Sequence, residues 1–97
     1  MILGMVVGTV VSERRGDQIE APRYLLVEQC DQAGSGQNDF LVAIDLIGAN
    51  SGELVMIGQG SAARQTEITY DRPIDAVIVG IIDLIDEQGR EVYRKNA

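Results

Sequence analysis

Val55-Met56-Ile57-Gly58 leads into Gln59-Gly60-Ser61-Ala62-Ala63-Arg64; after a polar link from Gln65 to Arg72 come Pro73-Ile74-Asp75-Ala76 and Val77-Ile78-Val79-Gly80-Ile81-Ile82-Asp83. Two short apolar runs separated by small and polar residues predict a strand, a turn, a link and a second strand. No nucleophile here stands beside a base. What the stretch offers is backbone shape: small residues where another chain can approach closely, then a strand too apolar to leave wet. It reads as an assembly element rather than an active site.

Outward from it the same pattern recurs. Met1 to Val11 is a Val-rich run in which Ile2, Gly4, Val6, Gly8 and Val10 line one side and Leu3, Met5, Val7, Thr9 and Val11 the other. Residues two apart share a strand face, so this strand is expected to be covered on both faces. Its glycines suggest a bend or a close backbone neighbour. Ser12 to Pro22 reads as a loop with Arg14-Arg15-Gly16-Asp17 at its tip. Arg23 to Gln29 is the next strand, with Leu25 and Val27 on one face and Tyr24 and Leu26 on the other. The Gly34-Ser35-Gly36 loop lacks the lysine and helix start that a phosphate cradle needs. Phe40 to Leu46 follows as a strand, with Phe40, Val42, Ile44 and Leu46 placed inward and Leu41, Ala43 and Asp45 on the other face. Gly48 to Glu53 is a turn whose two glycines and Asn50 supply left-handed conformations. Leu54 to Ile57 is a short strand, Ser61 can cap one helical turn through Arg64 or Gln65, and Pro73 closes the polar link. Asp86-Glu87-Gln88-Gly89 has the composition of a hairpin turn before a last strand, Arg90 to Arg94.

Five or six strands, short loops and at most one helical turn place residues 1–97 in a single all-β domain. The spacing favours a small OB-like antiparallel β-barrel, with a small sandwich as the second choice.

Composition narrows the function. The chain has 97 residues, 45% hydrophobic but only 4% aromatic, so its core must be aliphatic. A short chain with a thin core often gains stability by burying surface against copies of itself. The net charge of −7 argues against nucleic acid, which calls for a basic patch to displace counterions from phosphate. It argues equally against an anionic membrane surface. The longest uncharged apolar run, Ala76 to Ile82, is far short of the roughly 20 residues a bilayer-spanning helix needs. The N-terminus has no basic leader, and Cys30, the one cysteine, cannot form an internal disulfide, so a reducing cytoplasm is expected. Cys30 is expected to be a small half-buried residue.

Chemistry is sparse. Asp45, Glu53, Asp75 and Asp83 each sit at a strand end or beside a turn, where carboxylates cap free N–H groups or face water. There is no His, no Cys pair and no calcium-type loop, so no metal site, cofactor or activated nucleophile is expected. The sole lysine is Lys95, in the tail. An oligonucleotide-binding barrel would need stacking aromatics on one face and a basic groove. Tyr24, Phe40, Tyr70 and Tyr93 are scattered and the charge has the wrong sign, so that reading is the alternative.

Taken in order, Met1 to Val11, Tyr24 to Gln29, Val42-Ala43-Ile44-Asp45, Gly48-Ala49, Gly52-Glu53, Gly60 to Arg64 and Pro73 to Asp83 resemble the EutN/CcmL family of bacterial microcompartment shell proteins. The resemblance covers nearly the whole chain. It implies an OB-like barrel that assembles into a pentamer at the five-fold vertices of a cytoplasmic shell tiled by hexameric proteins. It also implies that Gly60, Ser61, Ala62, Ala63 and Arg64 lie at subunit contacts or the pore. Ala62 stands where the family often has a second Ser, and Asp17 to Pro22 is less typical. A hexamer of this chain remains the alternative ring, and the residues do not indicate which cargo the shell encloses.

Overall fold

The computed structural model describes residues 1–11, 23–59 and 76–96. Seven strands occur among them: β1 (Ile2–Val10), β2 (Arg23–Cys30), β3 (Gly36–Asp45), β4 (Leu54–Gln59), β5 (Ala76–Ile81), β6 (Leu84–Glu87) and β7 (Arg90–Arg94). The first five close a barrel in the order β1-β2-β3-β5-β4, with β4 returning to pair β1. A closed ring with an odd number of strands cannot alternate direction everywhere. The single parallel pair falls between β3 and β5, where Ile44 stands beside Val77; the other four pairings are antiparallel. The OB-like barrel expected from the sequence is therefore present, with one parallel seam.

Inside, Val6, Leu25, Val27, Ala43, Val55, Ile57, Ala76 and Ile78 form the core. It holds no aromatic ring, as the composition requires. Gly4 makes this packing possible: a Cβ there would overlap the Val27 side chain and crowd Ile57. Leu25 and Val27 face inward, as expected for β2.

Two face assignments made from alternation are corrected by the barrel. On β3, Ala43 belongs to the core and Leu41 packs against it, whereas Phe40 and Val42 are 54% and 47% exposed. Phe40, Val42 and Ile44 thus point away from the core and Leu41 and Ala43 toward it, the reverse of the expectation. On β1, the register slips between Val6 and Gly8. This bulge puts an extra residue on one strand, so Val6 faces the core while Gly8 and Val10 share the outer wall. The expected covering of both faces is incomplete in the single chain, with Val7 43% exposed.

The turns show why these residues sit where they do. Gly48 and Gly52 have φ of 83° and 88°, the left-handed values only glycine adopts freely. Asn50 does not join them; the left-handed asparagines are Asn38 and Asn96, at φ 61° and 63°. The expected hairpin turn is confirmed: Gln88 and Gly89, at φ 56° and 79°, form the two-residue connection whose twist matches paired strands. β6 is not a continuation of β5, however. It pairs only with β7, in a separate two-stranded sheet. The loop at residues 12–22 and the Ser61 cap lie outside the described residues, among which there is no helix.

Candidate assembly surface

Directly paired residues in a sheet point to the same side, so the register defines the barrel's outer wall row by row. One row runs Val10, Tyr24, Ile44, Val77 and Gly58. The next runs Gly8, Leu26 and Val42, and a third Met5, Glu28 and Phe40. Ile44 and Val77 are buried outside the core, packed with Tyr24 and Leu46 in a cluster of their own. The first two rows contain no charged side chain. In the third, the Glu28 carboxylate accepts the backbone N–H of Asn38 at 3.0 Å. A Cβ on Gly36 would collide with that carboxylate, so Glu28 is engaged by the start of β3.

Two of the carboxylates that a catalytic reading would recruit, Asp45 and Glu53, are committed to structure. Asp45, only 7% exposed, accepts backbone N–H groups from Ile47, Gly48 and Ala49 at 3.0–3.2 Å. Its other oxygen meets Arg23 at 3.1 Å. Glu53 accepts the Asn50 N–H at 2.6 Å and the Lys95 ammonium at 2.7 Å. The lysine hydrogen bond first, and the Asn50 N–H after it, hold the Glu53 carboxyl below its usual range. Glu53 in turn raises Lys95. Asp75 lies outside the described residues. Cys30 is half-buried, as expected, and burial pushes its thiol pKa up, with Glu28 and Asp31 adding to the effect. That is the opposite of what an attacking thiolate requires. No cluster of potential metal ligands occurs among the described residues. The described aromatics are apart: Tyr24 lies in the Ile44 row, Phe40 opposite Glu28, and Tyr93 against Gly34.

The residues singled out by resemblance, Gly60, Ser61, Ala62, Ala63 and Arg64, lie outside the described residues. The structure does describe the strands on either side of that segment. β4 ends at Gln59 opposite Ala76, the first residue of β5, and Gly58 is paired with Val77 of the outer row. The chain therefore leaves and rejoins the barrel at one end of the uncharged wall. Alternation missed that wall on β3, although the doubly apolar character of β1 and β2 was a signal for it. It also missed the Lys95–Glu53 pair, which joins residues 42 positions apart.

A closed aliphatic barrel with Asp45 and Glu53 tied into its turns and two uncharged rows on its outside defines a class: a small all-β barrel domain. Comparison with known proteins gives the family. The chain belongs to the EutN/CcmL family, described as ethanolamine utilisation protein EutN/carboxysome, whose profile matches residues 1–83. It is 40% identical over 95 residues to the carboxysome shell vertex protein CcmL of Gloeobacter violaceus, covering 98% of this chain and 95% of that one. A solved structure of Gloeobacter violaceus CcmL superposes with a TM-score of 0.92 at 39% identity, each chain covered completely (100%). The bacterial microcompartment shell vertex protein EutN of Escherichia coli is 35% identical, with 98% of this chain and 100% of EutN covered. The solved GrpN pentameric microcompartment shell protein from Rhodospirillum rubrum matches with a TM-score of 0.79 at 34% identity, covering 90% of this chain and 99% of GrpN.

Proposed function

We propose that this chain is a vertex protein of a bacterial microcompartment shell. Five copies form a ring that closes a corner where flat six-fold tiles cannot. The observation that carries the proposal is the end-to-end match to proteins named as shell vertex components, together with the match to a solved pentameric shell protein. The mechanism is geometric. Each barrel presents one patch to one neighbour and a different patch to the other, the heterologous contact from which cyclic rings are built. The partners are copies of the chain itself and the hexameric shell proteins around the vertex, in the cytoplasm. No bond is made or broken, and the commitment of Asp45 and Glu53 to turns and to Lys95 supports a non-enzymatic role. Residues 60–64, small except for Arg64, are proposed as part of the subunit contact.

Native mass spectrometry tests the ring directly. The expected species is five times the 10.5 kDa chain, and a lone monomer at cellular concentration overturns the proposal. In cells lacking the protein, shells are expected to be elongated or leaky while the encapsulated enzymes keep their intrinsic activity when purified. Loss of that intrinsic activity would count against a purely structural role.

A further inference from the structure

The hairpin of β6 and β7 is joined to the barrel differently from every other strand. Among the described residues, no backbone hydrogen bond ties either of its strands to a barrel strand. Ile82, just after β5, is still held, its N–H donating to the Leu54 carbonyl at 2.8 Å. The pair is therefore carried on Asp83. Side chains fasten it at three places. At its root the Lys95 ammonium meets Glu53 at 2.7 Å. Midway, Tyr93 rests on Gly34, where a Cβ would approach the ring to 2.8 Å. At its tip Gln32 Nε2 donates to Glu87 Oε1 at 3.2 Å. Glu53 immediately precedes β4, while Gln32 and Gly34 lie in the loop between β2 and β3. Because β1 stands between β4 and β2 in the barrel, the hairpin is anchored on both sides of β1.

Leu54 shows what the root covers. It pairs with Met5, whose neighbours Gly4 and Val6 face the core, so the register turns Leu54 outward. It belongs to neither apolar cluster, yet it is 0% exposed. Ile82 is bonded to its backbone and Lys95 to its neighbour Glu53. We propose that the β6–β7 hairpin is a strap that opens as one unit about Asp83 while the barrel stays closed, uncovering Leu54, and that the Lys95–Glu53 ion pair is its catch. The barrel strands are joined by ladders of backbone hydrogen bonds. The strap is held by a few side-chain contacts, and segments held that way open locally at less cost than global unfolding. Of the three fastenings only the one at the root joins opposite charges. Its side chains are 30% and 15% exposed, so water screens it less than a surface pair. Asp83 and Tyr93 also face the ammonium and, with Glu53, favour its charged form. Lys95 is the sole lysine of the chain, and removing that one charge disarms the catch while leaving the other two fastenings in place.

The test compares the full chain with Lys95→Gln, which removes the charge, and Lys95→Arg, which keeps it, at neutral pH. In Lys95→Gln, the amides of residues 84–95 are expected to exchange about three- to tenfold faster than in the parent, with β1 and β2 unchanged. Lys95→Arg is expected to match the parent within about twofold. Hydroxyl-radical footprinting of the same samples is expected to show Leu54 oxidised faster in Lys95→Gln by a similar factor. Hairpin exchange that does not change in Lys95→Gln overturns the inference. So do barrel strands that lose protection together with the hairpin, and a Leu54 that stays protected while the hairpin exchanges faster. If Lys95→Gln misfolds, the parent decides: residues 84–95 are expected to exchange at least about a hundredfold faster than β1 and β2, and equal protection overturns the inference. None of these readings depends on the ring, so a monomeric parent overturns the vertex reading alone.

Discussion

Gly4 and Gly8 look alike in the sequence, yet they face opposite ways, and the bulge between Val6 and Gly8 is the reason. Gly4 points into the core against Val27 and Ile57. Overpacking such a site costs roughly 1–3 kcal/mol. Gly4→Ala is therefore expected to lower the unfolding free energy measured in urea by about that much, whereas Gly8→Ala leaves the unfolding of the isolated barrel nearly unchanged; equal losses would show that the two faces have been misassigned. Asp45 is the other residue with outsized leverage. It is the buried carboxylate that organises the turn after β3, through Ile47, Gly48, Ala49 and Arg23. Asp45→Ala strips the acceptor from several N–H groups at once, and unsatisfied buried donors cost about 1–3 kcal/mol each. Chemical denaturation is expected to show a loss at the upper part of that range. A near-neutral result would mean that water replaces the carboxylate without penalty.

The hairpin of β6 and β7 depends on what it leans against. A two-stranded sheet is marginal in water by itself, and this one is fastened at named points. Ile82 N–H donates to the Leu54 carbonyl at 2.8 Å, Lys95 N–H to the Asp83 carbonyl at 2.9 Å, and Gln32 to Glu87 at 3.2 Å. Tyr93 rests on Gly34, where a Cβ would approach the ring to 2.8 Å. The Lys95–Glu53 pair completes the fastening. Because the folded Glu53 carboxyl is held below its ordinary value, its contribution is fully present above the ordinary carboxylate range and fades as pH falls through the lowered value. Lys95 has the opposite sign: raised by Glu53, its contribution is complete below the ordinary lysine value and fades as pH rises through the raised one. Hydrogen exchange is expected to show residues 84–95 opening ahead of the barrel strands at acid pH. Glu53→Gln should reproduce that opening at neutral pH; hairpin and barrel protection falling together in this variant would refute the latch. None of this was legible from a tail that looks frayed, since a contact 42 residues away leaves no periodic trace. The strands of the barrel and its aliphatic core were legible, because alternation and turn residues are local signals. The orientation of β3 was not. Alternation separates two faces without saying which is the core, and both faces of β3 carry apolar residues.

At the scale of the molecule, the chain is a barrel with an appended hairpin, 46 × 24 × 21 Å along its principal axes. The family profile stops at residue 83, one position before β6 begins. The profile thus spans the barrel strands and the segment between β4 and β5, while the individual relatives match through the hairpin as well. Residues 60–64 are proposed above as part of the subunit contact, and Arg64 is the one charged residue among them. Each copy already carries −7, so a cation presented to a neighbour's carboxylate offsets repulsion that grows as copies gather. Arg64→Glu reverses that contribution and makes every copy two charges more negative, while the core formed among the described residues keeps its own contacts. The expected result is a folded chain with an unchanged core melt whose ring falls apart at low ionic strength. Partial recovery is expected as salt shortens the Debye length toward about 8 Å near 0.15 M. Native mass spectrometry and sedimentation at two ionic strengths check this. An Arg64→Glu ring that survives at low salt would remove residues 60–64 from the contact.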